Sequence, residues 1–309
     1  MARVLVAFGL LYVIWGSTYL AIRVAIASIP PAASAGARFT LAGLLMLLVM
    51  WLSGQRLGAP GRELLSCAII GFLLLVCGNG LVVFSEQYVA SGLAALIIAT
   101  VPLWIAILSA LLPGGERLPC AGWAGVVLGM LGLGTLLWPT LAAGLGASLR
   151  GEAALVLASL CWASGSLYAK RATSTLSPLV ATGWEMLFAG IILSLIAAGA
   201  GEFTRFAPSR ASWLALAYLV VFGSCVAFSA YIWLLRHVAA AKVTTYAYVN
   251  PVIAVVLGCT FLDEPFTASM AIGTPIIVAA VALVITARIR TADRAALPEP
   301  RAEPTPTAA

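Results

Sequence analysis

Five charged side chains stand inside or at the ends of long apolar stretches of the sequence: Arg23, Arg38, Glu86, Lys170 and Glu185. At the centre of a lipid bilayer an unpaired charge costs roughly 2.5–3.5 kcal/mol on insertion scales, so charges at such positions face protein or water. A glutamate there can bind a proton, and a cation can pair with it across a closing gap. We therefore expect these residues to serve as gate or coupling groups. The alternative is static ion pairing, with the cationic side chains reaching the membrane surface.

Aromatic and small polar side chains in the same stretches could bind a small solute by stacking and hydrogen bonding. Two of the stretches are alike, "VIWGSTYLAIRVA" at 13–25 and "LCWASGSLYAKRA" at 160–172. Hydrogen bonding between membrane helices, worth about 0.6–2 kcal/mol per contact, is the alternative role for the polar side chains. The candidate substrate-binding residues are Trp15, Ser17, Tyr19, Asn79, Thr100, Trp104, Trp162, Tyr168, Tyr246 and Asn250.

Two prolines, Pro102 and Pro251, stand near the middle of apolar stretches. A proline inside a helix removes one amide donor and frees the carbonyl four residues earlier, which kinks the helix. Matched interruptions in the two halves of a membrane protein are a good sequence pointer to a binding site. We expect both prolines to kink their helices beside the candidate site. A kink that serves packing alone is the alternative.

The composition predicts that helices spanning a membrane position these residues. Of the 309 residues, 62% are hydrophobic and 9% are charged, whereas soluble domains carry roughly 25% charged residues. The stretches are continuously apolar rather than alternating, which predicts an all-α integral membrane protein. Because about 20 apolar residues cross the hydrocarbon core, the sequence divides into about ten spans, near 4–26, 33–52, 64–86, 91–112, 120–138, 151–171, 178–199, 211–234, 241–262 and 268–288.

An internal repeat is the most informative feature of the sequence. A shift of 147 residues places Trp162 on Trp15, and a shift of 149 places Pro251 on Pro102. Each half holds five helices, an odd number, so the second half enters the membrane from the opposite side. The predicted architecture is therefore ten transmembrane helices arranged as two five-helix inverted-topology repeats. This arrangement is strongly associated with transporters whose sites lie between the halves.

The repeat also predicts the organisation of the chain into four segments. Residues 1–140 form the first repeat, with helices 1–5, and 141–150 form an outer linker. Residues 151–288 form the second repeat, with helices 6–10. The segment 289–309 is polar and rich in proline and alanine, which is typical of a disordered tail.

The distribution of cations predicts the orientation in the membrane. Twelve lysines and arginines fall on the side of the N-terminus and three on the other. Because cytoplasmic loops are enriched in these residues, both termini and the tail are predicted to be cytoplasmic. In this orientation Arg38 lies toward the outer side and Glu185 toward the inner side, at mirrored depths.

Several other chemistries are excluded by the residues that the sequence lacks. One histidine and six scattered cysteines, without a CxxC or a Cys/His grouping, predict neither a metal site nor a disulfide framework. There is no HExxH, no Gly-x-Ser-x-Gly and no Walker motif. We therefore predict no enzymatic activity, no cofactor and no ATP hydrolysis. The predicted partners are the lipid bilayer and a small-molecule substrate, and not nucleic acid.

The chain resembles the drug/metabolite transporter superfamily, and within it the EamA-domain exporters with ten helices and two EamA repeats. The likeness is carried by "WGSTYLAIRVA", "TVPLWIAILSALLPGGERLPCAGWAGVVLGMLGL" and "NPVIAVVLGCTFLDEPFTASMAIGTPII". In both halves a mid-helix proline is followed by a glutamate at the helix end and by a glycine-bearing helix. The resemblance implies a permease of the bacterial inner membrane that exports small metabolites, such as amino acids, their derivatives or drug-like analogues.

Other functions stay open at this point. A secondary transporter working by alternating access is the first hypothesis, driven either by protons or by an exchanged solute. Only Glu86 and Glu185 are placed as carboxylates for proton coupling. A lipid-linked flippase or a non-transporting membrane scaffold is the alternative. The sequence does not distinguish a monomer from a dimer, and it does not identify the substrate.

Overall fold

The computed structural model describes residues 2–113, 118–144, 146–238 and 243–295. Within these ranges the chain is almost entirely helical and contains no strand, which confirms the all-α prediction. Among the described residues, nine helices are long and apolar enough to cross a membrane, and one apolar helix, Tyr246–Phe261, is shorter. The ten helices are α1 Ala2–Ile26, α2 Pro31–Leu52, α3 Gly61–Ser85, α4 Ser91–Leu111, α5 Cys120–Ala143, α6 Ala147–Arg171, α7 Pro178–Gly199, α8 Arg210–His237, α9 Tyr246–Phe261 and α10 Ala268–Ala295.

Three helices extend into segments that the sequence placed outside the spans. α5 ends at Ala143 and α6 begins at Ala147, both within the predicted linker 141–150, and α10 continues to Ala295, within the predicted tail 289–309. A helix can continue beyond the hydrocarbon core because the headgroup layers add about 10–15 Å to its thickness of about 30 Å. Residues 296–309 lie outside the described part of the chain. The disorder predicted for them and the division into four segments stay predictions.

The two prolines affect their helices differently. α4 is interrupted at Ala99 and Thr100, and its second segment starts at Val101. Pro102 is thus the second residue of a new helical segment, a position that tolerates proline because its amide has no partner within the helix. Pro251 instead lies inside α9, which is helical on both sides of it. The interruption expected in α4 is present, whereas α9 keeps its helical backbone.

α3 and α8 each contain a stretch of π-helix at equivalent positions. The π-helical residues are Phe72–Asn79 in α3 and Leu219–Val226 in α8. The two stretches are equally long, 8 residues each, and they are related by the same shift of 147 residues as the two tryptophans. π-helical turns are rare and occur frequently at functional sites. We call these stretches the π segments.

Glycines allow equivalent helices of the two halves to pack closely. Between α2 and α7, a Cβ atom added to Gly43 would lie 2.6 Å from the amide nitrogen of Leu187. Between α5 and α10, a Cβ atom added to Gly125 would lie 2.8 Å from Cγ2 of Val284. Both spaces are too short for a methyl group, so small residues are needed here, as in many membrane helix pairs. These two pairs of helices join the halves.

Large apolar side chains cover the outside of the bundle. Trp51, Leu131 and Leu195 are each more than 60% exposed, a state that water would oppose and lipid tails accept. The interior is packed with fully buried side chains such as Phe39 and Leu155. Below, the outer end of the bundle is the end where α1 finishes, and the inner end is the opposite one.

Candidate functional site

Trp15 is at the centre of a cluster of aromatic rings formed by α1, α8 and α9. Its ring centroid is 5.0 Å from that of Tyr246, 5.2 Å from that of Phe228 and 5.4 Å from that of Tyr231. The indole Nε1 donates a hydrogen bond to the carbonyl oxygen of Gly223 at 3.2 Å. Because α1 belongs to the first half and α8 and α9 to the second, this aromatic cluster lies between the halves.

Trp162, the repeat partner of Trp15, also contacts a glycine of a π segment, but Gly78 is two residues from the position equivalent to Gly223. A Cβ atom added to Gly78 would lie 2.8 Å from Cε3 of Trp162. Gly78 lies in the π segment of α3, as Gly223 lies in that of α8. Each tryptophan therefore packs against a glycine of the π segment in the other half. Among the described residues, only the Trp15 site also gathers other aromatic rings around the indole.

Arg38 connects the two π segments. Its Nε donates a hydrogen bond to Oγ of Ser224 at 3.0 Å, and its Nη1 donates to Oδ1 of Asn79 at 3.3 Å. The guanidinium carbon also lies 4.8 Å from the centroid of the Phe39 ring. Arg38 is only 3% exposed, so these contacts replace the water that a buried cation loses. The structure thus brings two predicted residues, Arg38 and Asn79, together at the junction of the halves.

The three candidate residues of α1 do not share one face. Trp15 and Tyr19 are one helical turn apart, and Tyr19 packs against the apolar core of the bundle. Ser17 has a different neighbour, since its hydroxyl lies 2.7 Å from the hydroxyl of Tyr218 on α8. A period of 3.6 residues turns Ser17 by about 200° from Trp15. Ser17 therefore contacts the second half through Tyr218, and its role in binding a solute stays a prediction.

Asn250 fixes α9 to α1. With its amide oriented to satisfy both groups, the side-chain nitrogen donates to the carbonyl oxygens of Tyr12 at 3.2 Å and Tyr246 at 3.3 Å. The hydroxyls of Tyr12 and Thr245 also lie 2.5 Å apart. Asn250 is buried. These contacts favour the interhelical role for Asn250 over direct contact with a solute.

Thr100 and Trp104 stabilise the interruption of α4. The Thr100 hydroxyl donates to the carbonyl oxygen of Ile97 at 2.6 Å, and Trp104 Nε1 donates to Thr100 Oγ1 at 3.2 Å. Thr100 is buried and Trp104 is half-buried. Because Thr100 serves polar groups within its own helix, local stabilisation explains its position without a solute.

Three predicted residues lie toward the inner end and away from the aromatic cluster. Tyr168 and Lys170 are exposed near the end of α6, and the Tyr168 hydroxyl lies 3.4 Å from Oγ of Ser66 on α3. Glu185 is half-buried on α7, where its backbone carbonyl packs against Gly71 of α3. None of these described contacts joins the three residues to Trp15 or to its neighbouring rings.

At the outer end, Arg23 lines a cavity of about 500 Å³. Tyr88 and Glu264 also line it. The other lining residues come mainly from the end of α1, the start of α8 and the segment that follows α9. Glu86, two residues before Tyr88 of this wall, is fully buried and interacts electrostatically with Arg23, Arg38 and Glu264. The predicted outer charges are thus brought into one group.

Hydrogen bonds also join the halves at both ends of the bundle. At the outer end, Oγ of Ser28 donates to Oγ of Ser212 at 2.7 Å and accepts from the amide of Ser209 at 2.8 Å. At the inner end, the Glu63 carboxylate accepts from the amide of Thr175 at 2.8 Å and from Oγ of Ser174 at 3.0 Å. Both links connect the turn after the first helix of one half to the start of the third helix of the other.

Some residues of the site were not among the candidates. Phe228 and Tyr231 complete the aromatic cluster, and their spacing of three residues on α8 was the signal that could have identified them as neighbours on one face. Gly223 and Ser224 contact Trp15 and Arg38 because they lie in a π segment. Nothing in their residue types distinguishes them from other small residues of membrane helices.

Known proteins are similar to this sequence over most of its length. The EamA-like transporter family matches residues 3–138 and again residues 149–286. The uncharacterized inner membrane transporter YedA of Escherichia coli (strain K12) is 41% identical over 275 residues, which cover 89% of this chain and 88% of that protein. The uncharacterized transporter YoaV of Bacillus subtilis (strain 168) is 22% identical over 282 residues, covering 90% of this chain and 94% of that protein.

The fold also occurs among solved structures. One crystal structure superposes with a TM-score of 0.65, and the superposition covers 93% of this chain and 99% of the other. The two sequences are 21% identical. At this level the likeness establishes a common fold.

Proposed function

Since this chain belongs to the EamA-like transporter family, we propose that it exports small organic solutes by alternating access between its two halves. This membership confirms the resemblance found in the sequence. The similarity to the inner membrane transporter YedA, together with the apolar helices, supports a multi-pass protein of the inner membrane. The proposed solutes are amino acids, their derivatives or drug-like analogues. Both termini are proposed to lie in the cytoplasm, because the loops on their side hold most of the cations.

The two tryptophan–glycine contacts are the observation that carries this proposal. Trp15 meets Gly223, and Trp162 meets Gly78, so each contact joins the first helix of one half to the π segment of the other. The surroundings of the two contacts differ, because aromatic rings gather only around Trp15 in the described structure. In inverted repeats the two halves rock against each other around a central site, so the Trp162 contact is proposed to acquire, in the opposite state, surroundings like those of Trp15 here.

The residues at the junction suit a solute with a flat apolar part and a polar end. The rings of Trp15, Tyr231 and Tyr246 offer apolar faces, and their centroids lie 5.0–6.0 Å apart. At this separation the rings contact one another. A solute can therefore reach them only after α1 has moved away from α8 and α9.

Solute flux in liposomes tests the proposal. The purified protein is reconstituted with unlabelled solute inside, and uptake of radiolabelled phenylalanine, tryptophan, leucine and threonine is measured by exchange. We expect saturable uptake of at least one amino acid, lost in Trp15→Ala. Trp138→Ala is the matched control, because Trp138 is 68% exposed on the outside of the bundle. Equal flux in Trp15→Ala and Trp138→Ala, or no flux above empty liposomes across the panel, would contradict the proposal.

A flippase for lipid-linked molecules is the second candidate, favoured by a groove between α1 and α8. The groove has a volume of about 710 Å³ and lies at the inner end of α1. Val6, Leu10 and Trp233 line its apolar wall, and Arg3 lies at its end. In the same liposomes, transfer of a fluorescent phospholipid between leaflets, without exchange of any amino acid, would support this second function over the first.

A further inference from the structure

Among the described residues, the outer end of the bundle carries four buried or half-buried glutamates, and hydrogen bonds hold three of them. Glu152 accepts one from Oγ1 of Thr140 at 2.6 Å, and Glu202 accepts one from an amide in the first turn of α2 at 2.8 Å. Glu264 accepts from the amide of Ser91 at 2.8 Å and from its hydroxyl at 2.9 Å. Glu202 and Glu264 thus cap helix starts, where free amides favour an anion.

Glu86, the fourth glutamate, has a different environment. It is 0% exposed at the end of α3, and neither of its carboxyl oxygens accepts a hydrogen bond from any described residue. The groups that interact with it electrostatically are Tyr19 and Arg23 from α1, Arg38 from α2 and Glu264 from the segment after α9. Glu86 is therefore a buried carboxyl group with charged neighbours and no structural hydrogen bond.

α6 also packs against this end of α3, but it presents backbone there. A Cβ atom added to Gly151 would lie 3.1 Å from the carbonyl oxygen of Ser85. The adjacent Glu152 is engaged with Thr140. The charge state of Glu86 thus depends on burial, on Arg23 and Arg38, and on the helices that keep water out.

Burial and the two arginines act on Glu86 in opposite directions. An ionised carboxylate buried without hydrogen bonds is strongly unfavourable, and such a group binds a proton instead. Arg23 and Arg38 favour the ionised form, while the negative charge of Glu264 disfavours it. When the outer end opens, water solvates the carboxylate and removes the unfavourable effect of burial. Closure therefore favours the protonated form, and opening favours the ionised form.

We infer that Glu86 binds a proton when the outer end of the protein closes over it and loses that proton to outer water when this end opens. The inference rests on the proposed alternating-access function. The proton comes from water at the outer surface and forms one O–H bond with a carboxylate oxygen, which leaves the group neutral. No other bond is made or broken. A lower outer pH thereby favours closure of the outer end.

The sign of the pH dependence follows from this linkage. The closed state binds the proton more tightly than the open state, so acidic outer pH stabilises the closed state. Between the two proton affinities, a single proton changes the ratio of open to closed molecules by up to about tenfold per pH unit. Above that range the open state no longer gains population.

Labelling of a buried cysteine next to Glu86 measures this opening without any solute. Ser85 is fully buried, so Ser85→Cys reacts with a membrane-impermeant maleimide only while the outer end is open. The labelling rate is measured in intact cells over a range of outer pH. The protein without Ser85→Cys is labelled in parallel, and the background labelling of its six native cysteines is subtracted. Thiols react faster at alkaline pH in any case, so every rate is divided by the rate in Glu86→Gln, whose side chain stays neutral.

We expect this ratio to be near one at acidic pH and to rise by up to about tenfold per pH unit toward alkaline pH. Glu152→Gln, a matched buried glutamate, should follow the parent protein at every pH. Glu86→Asp, which keeps the carboxyl group, should retain the rise. Glu86→Ala, which is also neutral at every pH, replaces Glu86→Gln as the reference if that variant folds poorly. A ratio that does not change with pH, or a Glu152→Gln protein that behaves like Glu86→Gln, would overturn the inference.

Failure of this inference can be separated from failure of the proposed function. Amino acid exchange in liposomes at one fixed pH requires no proton gradient. Persistent exchange with a pH-independent labelling ratio would remove Glu86 as the proton site and leave the transporter function intact. Absence of exchange for the whole panel would remove the proposed function, whatever the labelling shows.

Discussion

Arg38 and Glu185 occupy equivalent positions in the two halves, but they make different contacts. Arg38 donates hydrogen bonds to Ser224 and Asn79 and so holds both π segments. Glu185 is half-buried, and among the described residues its carboxyl group makes no hydrogen bond, although its backbone carbonyl packs against Gly71. The comparison teaches that the duplicated halves have kept their backbone geometry and diverged in charge. One equivalent position now stabilises the junction, and the other leaves a carboxyl group available.

Removing each of these charges should give the largest difference between the halves. Arg38→Gln loses hydrogen bonds that a charged group makes, each worth about 1.5–3 kcal/mol, and leaves Ser224 or Asn79 unsatisfied. We expect the free energy of unfolding to fall by about 2–4 kcal/mol, against less than about 1 kcal/mol for Glu185→Gln. Denaturant unfolding in detergent micelles measures both. Equal losses would show that Arg38 does not hold the π segments.

The two tryptophan–glycine contacts should respond unequally to an added methyl group. In Gly78→Ala the new Cβ would lie 2.8 Å from the Trp162 ring, whereas in Gly223→Ala the nearest atom is Cγ2 of Thr18 at 3.1 Å. Overpacking of this kind costs about 1–3 kcal/mol. We expect Gly78→Ala to lie near the upper part of that range and Gly223→Ala near the lower.

A second substitution checks the cause of this loss. Trp162→Phe should recover much of the stability lost in Gly78→Ala, because the smaller ring makes room for the methyl group. The double-mutant cycle is measured by the same unfolding experiment. If the losses of unfolding free energy in the two single variants simply added in the double variant, a clash with the Trp162 ring would not be the cause of the destabilisation.

The smallest difference is expected at the prolines. Pro102 is the second residue of a helical segment, so Pro102→Ala should change stability by less than about 0.5 kcal/mol. Pro251 lies inside α9, where alanine supplies the missing amide, and Pro251→Ala should stabilise by about 0.5–1.5 kcal/mol. Thermal unfolding of the two variants in one detergent provides the measurement. A stabilised Pro102→Ala protein would contradict the position assigned to this proline.

Much of the fold could be predicted because apolar length and the internal repeat are properties of the sequence itself. Continuous apolar runs predict the helices through the thickness of the bilayer, and Trp15 on Trp162 predicts the repeat that the family match confirms. The prediction that Arg38 finds polar partners follows from the same physics, since a buried cation needs them. The structure supplies the partners, Ser224 and Asn79.

The remaining features depend on tertiary contacts that residue types do not specify. The π segments contain no proline that would announce a change of helix type, and they bring Gly223 to Trp15. Ser17 contacts Tyr218 of the other half, a partner that no residue pattern near Ser17 identifies. Whether Glu86 or Glu152 receives a hydrogen bond depends on the packing of neighbouring helices.

The matched π segments have a consequence for the history of the gene. Duplication of one five-helix unit that already carried a π segment would leave two such segments of equal length at the same position, as Phe72–Asn79 and Leu219–Val226 are. After duplication each copy can change its side chains separately, as the difference between Arg38 and Glu185 illustrates.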